Sequence, residues 1–482
     1  MKQMSLIITA FVATVLCGCS KFLDVNPKGE VFDADMFTSA QGYEDALYGV
    51  YNELAETQNL YGAHIWWVAE ACAQNVVSGN SSSDYQFGYL QLGRWYDTGP
   101  TSIREGIWSK AYTAINHINN IVEHAQSDGV DSFRHGNLYY GEALALRAMI
   151  HFDLLRMFGP PVWASEEIKA QAIPYVEHYT FDVTPFSGYD EAIGKIVADL
   201  KHAERLLAED AELIPAERDN SAPGFTGARI THLNLYAVKA LLARVYWYNS
   251  DLTNAAIYAQ QIIDSGKFGL RPRSAFVQPD NGTLDLNETI FGFYGKKYQQ
   301  QNAGKYSLSG NISNPFILAS DWHSLYSQDA GEISTTDFRL SAWFNDSDQT
   351  LRKLVNAIYY EGGSSSYTGN SILGANVLRL PEMYYILAET YLNTPSVGVD
   401  YFNAVAVNRG RAPISSADLT LDVIFKERRR EFYGEGFTWY EMKRAAMDVV
   451  TVRGDIMPGN LASTYMLPIP DAEFEARNNM EI

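Results

Sequence analysis

The stretch over residues 139–158, YYGEALALRAMIHFDLLRMF, constrains the fold more than any other part of the chain. Ala143, Leu144, Arg147, Ile150, His151, Leu154, Leu155 and Phe158 fall at three- and four-residue steps and share one wide helical face. Gly159-Pro160-Pro161 then ends the helix, because proline cannot continue it. Arg147 and His151 lie on the same face, which predicts buried polar pairing, with His151 a hydrogen-bonded core residue and not a ligand.

The same period recurs along the chain. Tyr43, Ala46, Leu47, Val50, Tyr51 and Leu54 mark a helix starting near Ser39, and residues 63–73 a second. Residues 74–102 interrupt the pattern with Gly79-Asn80-Ser81-Ser82-Ser83 and Gly99-Pro100, both turn signals. Ile103, Ile107, Tyr112, Ile115, Ile118, Ile121 and Val122 mark a third helix, and residues 189–208 another. Residues 215–227 read as a polar connection. Residues 231–249 and 252–265 form a helix–turn–helix pair similar to a tetratricopeptide hairpin, in which Ala237, Ala240, Ala243, Ala255, Ala256 and Ala259 permit close packing. A similar pair spans 381–393 and 399–409, with Pro381 at the first helical position, where a missing N–H costs nothing. The last helix is predicted over 421–433, followed by a mostly irregular tail.

Between the two pairs, residues 271–376 are rich in Gly, Ser, Asn and aromatics. That is too long for a structureless loop in a compact domain, so it is read as an inserted subdomain of short strands, short helices and ordered loops. The predicted fold class is mainly α: a tetratricopeptide-like helical-hairpin scaffold with a long irregular, loop-rich insertion.

The N-terminus has the layout of an export signal. Lys2 is followed by an apolar run from Leu6 to Leu16 and then by Leu16-Cys17-Gly18-Cys19. The ending resembles a bacterial lipobox, which makes residues 1–18 a signal peptide and Cys19 the lipidated first residue of the mature chain. The apolar run is too short to span a bilayer. Cleavage removes Cys17 and lipid consumes Cys19, so of the three cysteines only Cys72 remains, read as a buried apolar filler. Residues 19–40 form a tether and lead-in. A net charge of −20 and a single basic run, Arg428-Arg429-Arg430 flanked by Glu427 and Glu431, argue against nucleic acid as a partner. That run alternates in sign at helical spacing and is read as pinning the C-terminal tail to the helices.

Four segments in order resemble the SusD/RagB family of Bacteroidetes outer-membrane lipoproteins. They are the lipobox with Phe22-Leu23-Asp24; Glu142-Ala143-Leu144-Ala145-Leu146-Arg147-Ala148 running on to Phe158-Gly159-Pro160; Arg379-Leu380-Pro381-Glu382-Met383-Tyr384 with Ala388-Glu389 and Asn403; and Glu427–Phe432 with Glu435-Gly436, Trp439, Lys443-Arg444 and Leu467-Pro468-Ile469-Pro470. Ala406 stands where the family often has Arg, and the chain after residue 478 looks shorter than the usual tail. The resemblance implies a SusD-like N-terminal helical region over 41–215 and a C-terminal RagB/SusD region over 228–482 that carries the insertion. It implies a lipid-anchored, surface-exposed protein of the outer membrane, paired with a SusC-like TonB-dependent transporter barrel and acting as a lid that captures nutrient. The cargo it implies is an oligosaccharide, or in some members a peptide.

Neutral sugars are gripped by aromatic faces, each ring contributing about 1–2 kcal/mol of apolar burial, with amides and carboxylates reading the hydroxyls. Two loop regions supply such groups. The candidate ligand-binding residues are Asn75, Tyr85, Arg94, Trp95 and Tyr96 in the first, and Tyr294, Tyr298, Trp322 and Tyr326 in the second. Trp95 and Trp322 are favoured because turn or polar residues surround them, whereas Trp66-Trp67 is read as helix core. No catalytic residue, cofactor or metal ligand is assigned. With 57 Asp and Glu, close carboxylate pairs arise by chance, and Gly-x-Ser-x-Gly, His-Glu-x-x-His, phosphate-loop and Cys-x-x-Cys motifs are absent. A glycoside hydrolase and a pure protein-interaction scaffold are the weaker alternatives.

Overall fold

Side-chain caps and proline breaks divide the chain into a succession of helices. The structure is a computed structural model that describes residues 36–57, 60–78, 85–127, 129–218, 224–277, 283–295, 302, 305–306, 316–326, 337–345, 347, 349–355 and 372–480. Cys19 and the export signal lie outside the described residues, as does Tyr298. The longer helices are α1 (Ala40–Asn52), α2 (Ile65–Cys72), α3 (Tyr85–Gln91), α4 (Thr98–Ser127), α5 (Gly136–Phe158), α6 (Tyr189–Leu206), α7 (Leu235–Tyr248), α8 (Leu252–Asp264), α9 (Leu380–Thr390), α10 (Pro395–Asn408), α11 (Leu421–Glu431), α12 (Thr438–Arg444) and α13 (Asp471–Met480). Ser39, Asn234, Asp251 and Thr420 cap α1, α7, α8 and α11 by accepting first-turn N–H groups.

From α4 to α10 each helix packs on the next, and the row continues from α8 to α9 although the insertion separates them in sequence. This is the stacked-hairpin logic expected of tetratricopeptide-like pairs. Ala237, Ala240, Ala243, Ala255 and Ala259 are fully buried at the α7–α8 contact, where small side chains let the helix axes approach. The chain has the mainly α architecture expected of it, and among the described residues no helix is long and apolar enough to cross a membrane.

Helix α5 is buried on nearly every side, and its polar residues are paired. Glu142 accepts from Tyr51 Oη at 2.9 Å, and from His232 and Arg229; Arg229 also pairs with Asp210. Arg147 forks onto Asp199 at 2.7 and 2.8 Å. Cys72 is buried without a disulfide partner, and burial pushes its thiol up.

The insertion contributes short strands. They are β4 (Thr283–Leu284), β5 (Thr289–Tyr294), β6 (Phe316–Leu318) and β7 (Ile372–Arg379), and they follow β1 (Val76–Ser78), β2 (Ile173–Pro174) and β3 (Phe186–Ser187) of the N-terminal half. β7 lies between β4 and β5, antiparallel to both. Arginines and carboxylates lock this region to the scaffold. Glu431 receives Arg379 at 2.6 Å, Arg409 at 2.8 Å and Arg339 at 3.0 Å, and Arg409 also reaches Glu288 at 2.7 Å. Burial pushes the Glu431 carboxyl up, but Arg409, Arg379 and Arg339 outweigh it and hold it well below the usual carboxylate range. The Glu427–Glu431 cluster therefore anchors the insertion as well as the C-terminal segment.

Two expectations are corrected. The stretch from 74 to 102 contains the helix α3, stabilised by tertiary contacts with α2 and α4. The C-terminal tail is more regular than expected: it holds α12, a small antiparallel hairpin pairing Val449 with Met457, and α13.

Candidate ligand-binding region

The two loop regions singled out in the sequence meet through backbone pairing. β1 runs antiparallel to β6, with Val76 opposite Leu318, Val77 opposite Ile317 and Ser78 opposite Phe316. Asn75, just before β1, fastens this junction. Its amide donates to Glu70 at 2.9 Å and Thr438 at 3.2 Å, its side-chain oxygen accepts from Arg429 at 2.8 Å, and its carbonyl accepts from Ala319 N at 3.0 Å. Arg429 in turn forks onto Asp321 at 2.8 and 3.2 Å. Glu70 closes the knot by accepting Gly436 N at 2.8 Å; burial pushes its carboxyl up. Asn75 is fully buried, where it braces the two loops against each other.

The favoured tryptophans are corrected in the same way. Trp95 is only 7% exposed, packs edge-on to Trp439 and donates Nε1–H to Ser463 O at 3.3 Å. Trp322 is 5% exposed and stacks on Phe344 at 4.8 Å. Tyr326 is fully buried beside the same Phe344, its hydroxyl donating to Arg430 O at 2.8 Å. These three rings fill the core beneath the loops. Polar neighbours in sequence do not keep a ring exposed when residues far along the chain cover it.

The open rings are others. Tyr96 is 77% exposed at the start of α4, and Tyr294 is 50% exposed at the end of β5. Arg94 lies over the face of Tyr89 at 4.0 Å while forking onto Asp97 at 2.6 and 2.8 Å, which gives a flat, polar-edged surface beside Tyr96 in the chain. Tyr89 belongs to the aromatic set of the first loop region. Tyr85 begins α3, and its side chain lies outside the described residues. On the other flank, Trp67 donates to Asn302 at 3.0 Å and Lys305 sits over Phe87 at 4.6 Å, so the buried α2 tryptophan ties the insertion down. His64, beside Trp67, is pulled down to about 4 by burial and by Lys110 and Lys305.

Comparisons with known proteins agree with this architecture. A family model described as "Starch-binding associating with outer membrane" matches residues 21–247, and the SusD family model matches residues 286–481. A SusD-like protein of Bacteroides ovatus is 25% identical over 494 residues, covering 91% of this chain and 81% of the relative. A SusD superfamily crystal structure from Bacteroides thetaiotaomicron superposes with TM-score 0.70 at 19% identity, over 92% of this chain and 98% of that one. Surface glycan-binding protein A from the same species superposes with TM-score 0.65 at 18% identity, over 93% and 99% of the two chains. With both halves matched in order and the helical row, insertion and C-terminal segment all in place, the chain belongs to the SusD family.

Proposed function

We propose that this chain is a cell-surface glycan-binding lipoprotein, anchored in the outer membrane through acylated Cys19, that captures an oligosaccharide and passes it as a lid to a SusC-like TonB-dependent transporter barrel. The observation that carries this reading is the β1–β6 junction, which ties two aromatic loop regions to one rigid base. Further along the chain, Tyr96 offers an open ring, and Arg94, stacked on Tyr89, offers polar groups, the combination that suits a sugar's apolar C–H face and its hydroxyls. Family membership and the structural likeness to a surface glycan-binding protein support the same ligand class. A lipid tether together with a partner surface would raise the effective concentration of cargo at the barrel without tight binding in free solution.

Calorimetry of the mature protein against neutral plant and host oligosaccharides, with peptides as the contrasting set, tests the cargo. Binding of a sugar that weakens about tenfold in Tyr96→Ala, at unchanged melting temperature, is the expected result. Peptide binding without sugar binding would reassign the cargo, and release of reducing ends from a bound glycan would make the protein an enzyme. Acylation is tested by palmitate labelling in cells, which Cys19→Ala should abolish.

A further inference from the structure

Phe181 is 91% exposed, at the tip of a loop that is anything but loose. β2 and β3 close the loop at its base, pairing Ile173 with Ser187 and Pro174 with Phe186. Side chains of α4 and α5 then fix its first half. Asn119 donates to the carbonyls of Val176 and His178 at 3.0 and 3.1 Å, Arg147 to that of Glu177 at 3.0 Å, and Glu123 accepts Tyr179 N at 2.9 Å. The far end is held by Phe186, which stacks on Phe474 of α13 beneath Arg477. A single exposed apolar side chain is ordinary on a mobile loop; a bare ring held up by this many fixed contacts is a presented one.

The ring stands at the rim of a groove of about 650 Å³ between α4, this loop and α13, within the ~300–1,000 Å³ range of small-ligand sites. Tyr112, partly exposed, forms its aromatic side, backed by the buried Trp108. Beside them Glu105, Ser109, Thr113 and Asn116 follow one face of α4 at helical spacing, giving a row of hydroxyl, amide and carboxylate groups. The aromatic wall is rigid: Trp108 donates to Glu473 at 3.1 Å and Tyr112 to Pro174 O at 2.8 Å.

Charge narrows the ligand. Arg477 is already engaged by Glu473 at 2.6 Å, whereas Glu105 and Asp182 have no ion pair among the described residues. The groove therefore carries uncompensated negative charge and disfavours anions.

We infer that this groove is a second ligand site, which takes a neutral oligosaccharide between Phe181 and the aromatic wall of α4 while the polar row reads its hydroxyls. The ligand class rests on the glycan-binding reading above; the site itself does not include the residues next to β1.

The test uses the full mature protein with laminarihexaose, maltohexaose, xylohexaose and mannohexaose as neutral probes, and hexagalacturonate and a chitosan hexamer as charged ones. Calorimetry is paired with hydrogen exchange. The expected result is that a neutral probe protects amides over 176–184 and that Phe181→Ala weakens this binding about tenfold or more, while Tyr96→Ala leaves the protection at 176–184 in place. Phe181 is on the surface, so its removal should leave the melting temperature unchanged, and Asn116→Ala provides an independent second variant. If a neutral probe binds but neither variant changes its affinity and protection falls elsewhere, the groove site is overturned and the glycan-binding function stands. If protection at 176–184 comes only from hexagalacturonate or the chitosan hexamer, the neutral assignment is overturned. If no neutral probe binds the wild-type protein at millimolar concentration, both readings are overturned together.

Discussion

Nε2 of His151 accepts the backbone N–H of Val176 at 3.0 Å, while Nδ1 of the same ring bonds to Arg147 O at 2.9 Å. The ring must be neutral to do both, since an imidazolium has no lone pair left for Val176. Burial, with Arg147 and Lys195 adding to it, pulls this histidine down to about 3. The unfolded chain takes up the proton near pH 6.5 and the folded chain does not, so stability falls as the pH drops from about 6.5 towards 3. The slope from this one group is about 1.4 kcal/mol per pH unit. Urea titrations at stepped pH should show a steeper acid loss in wild type than in His151→Gln; equal slopes would remove His151 from the account.

Trp95→Ala and Trp322→Ala are expected to act on stability. Each deletes a buried ring, and comparable truncations cost about 3–5 kcal/mol. Chemical denaturation should show earlier midpoints for both. Wild-type midpoints with lost sugar affinity would put these rings back on the surface.

Glu431→Gln keeps the shape but removes the charge that Arg379, Arg409 and Arg339 share. Breaking a buried ionic cluster on one side costs about 3–5 kcal/mol, because the partners stay buried without compensation. A limited-proteolysis time course should show faster cleavage between residues 283 and 355 in the variant; an unchanged pattern counts against the clamp.

Gly436 has a φ of +68° in the left-handed region, and a Cβ there would meet Trp66 Cδ1 at 2.9 Å and Trp66 Cα at 3.0 Å. Gly436→Ala combines strain with a clash against a buried helix and is expected to cost about 1–3 kcal/mol. A melting temperature equal to wild type would contradict that close approach.

The helices were legible because their determinants are local. The Ala237–Ala240–Ala243 spacing and the Gly159-Pro160-Pro161 stop act within a few residues of where they stand. The ligand region was only partly legible. That residues 75–96 and the insertion are rich in aromatics could be read from composition, but which ring faces solvent could not. Trp95 is covered by Ser463 and Trp439, Trp322 by Phe344 and Tyr326 by Arg430 O, all contributed from elsewhere in the chain. Phe181 belongs to the alternating run Tyr179-Thr180-Phe181-Asp182-Val183-Thr184, a pattern that by itself does not tell an exposed ring from the buried face of a strand.

Asn75 finds Arg429 across 354 positions and Thr438 across 363. Contacts so remote form late, after the neighbouring helices have settled. A chain lacking its last segment can thus assemble most of its stacked hairpins, but it cannot fasten Asn75 to Arg429 and Thr438 at the β1–β6 base. A product truncated before residue 429 would retain the helices of the row and leave the β1–β6 junction without the two side chains that brace Asn75.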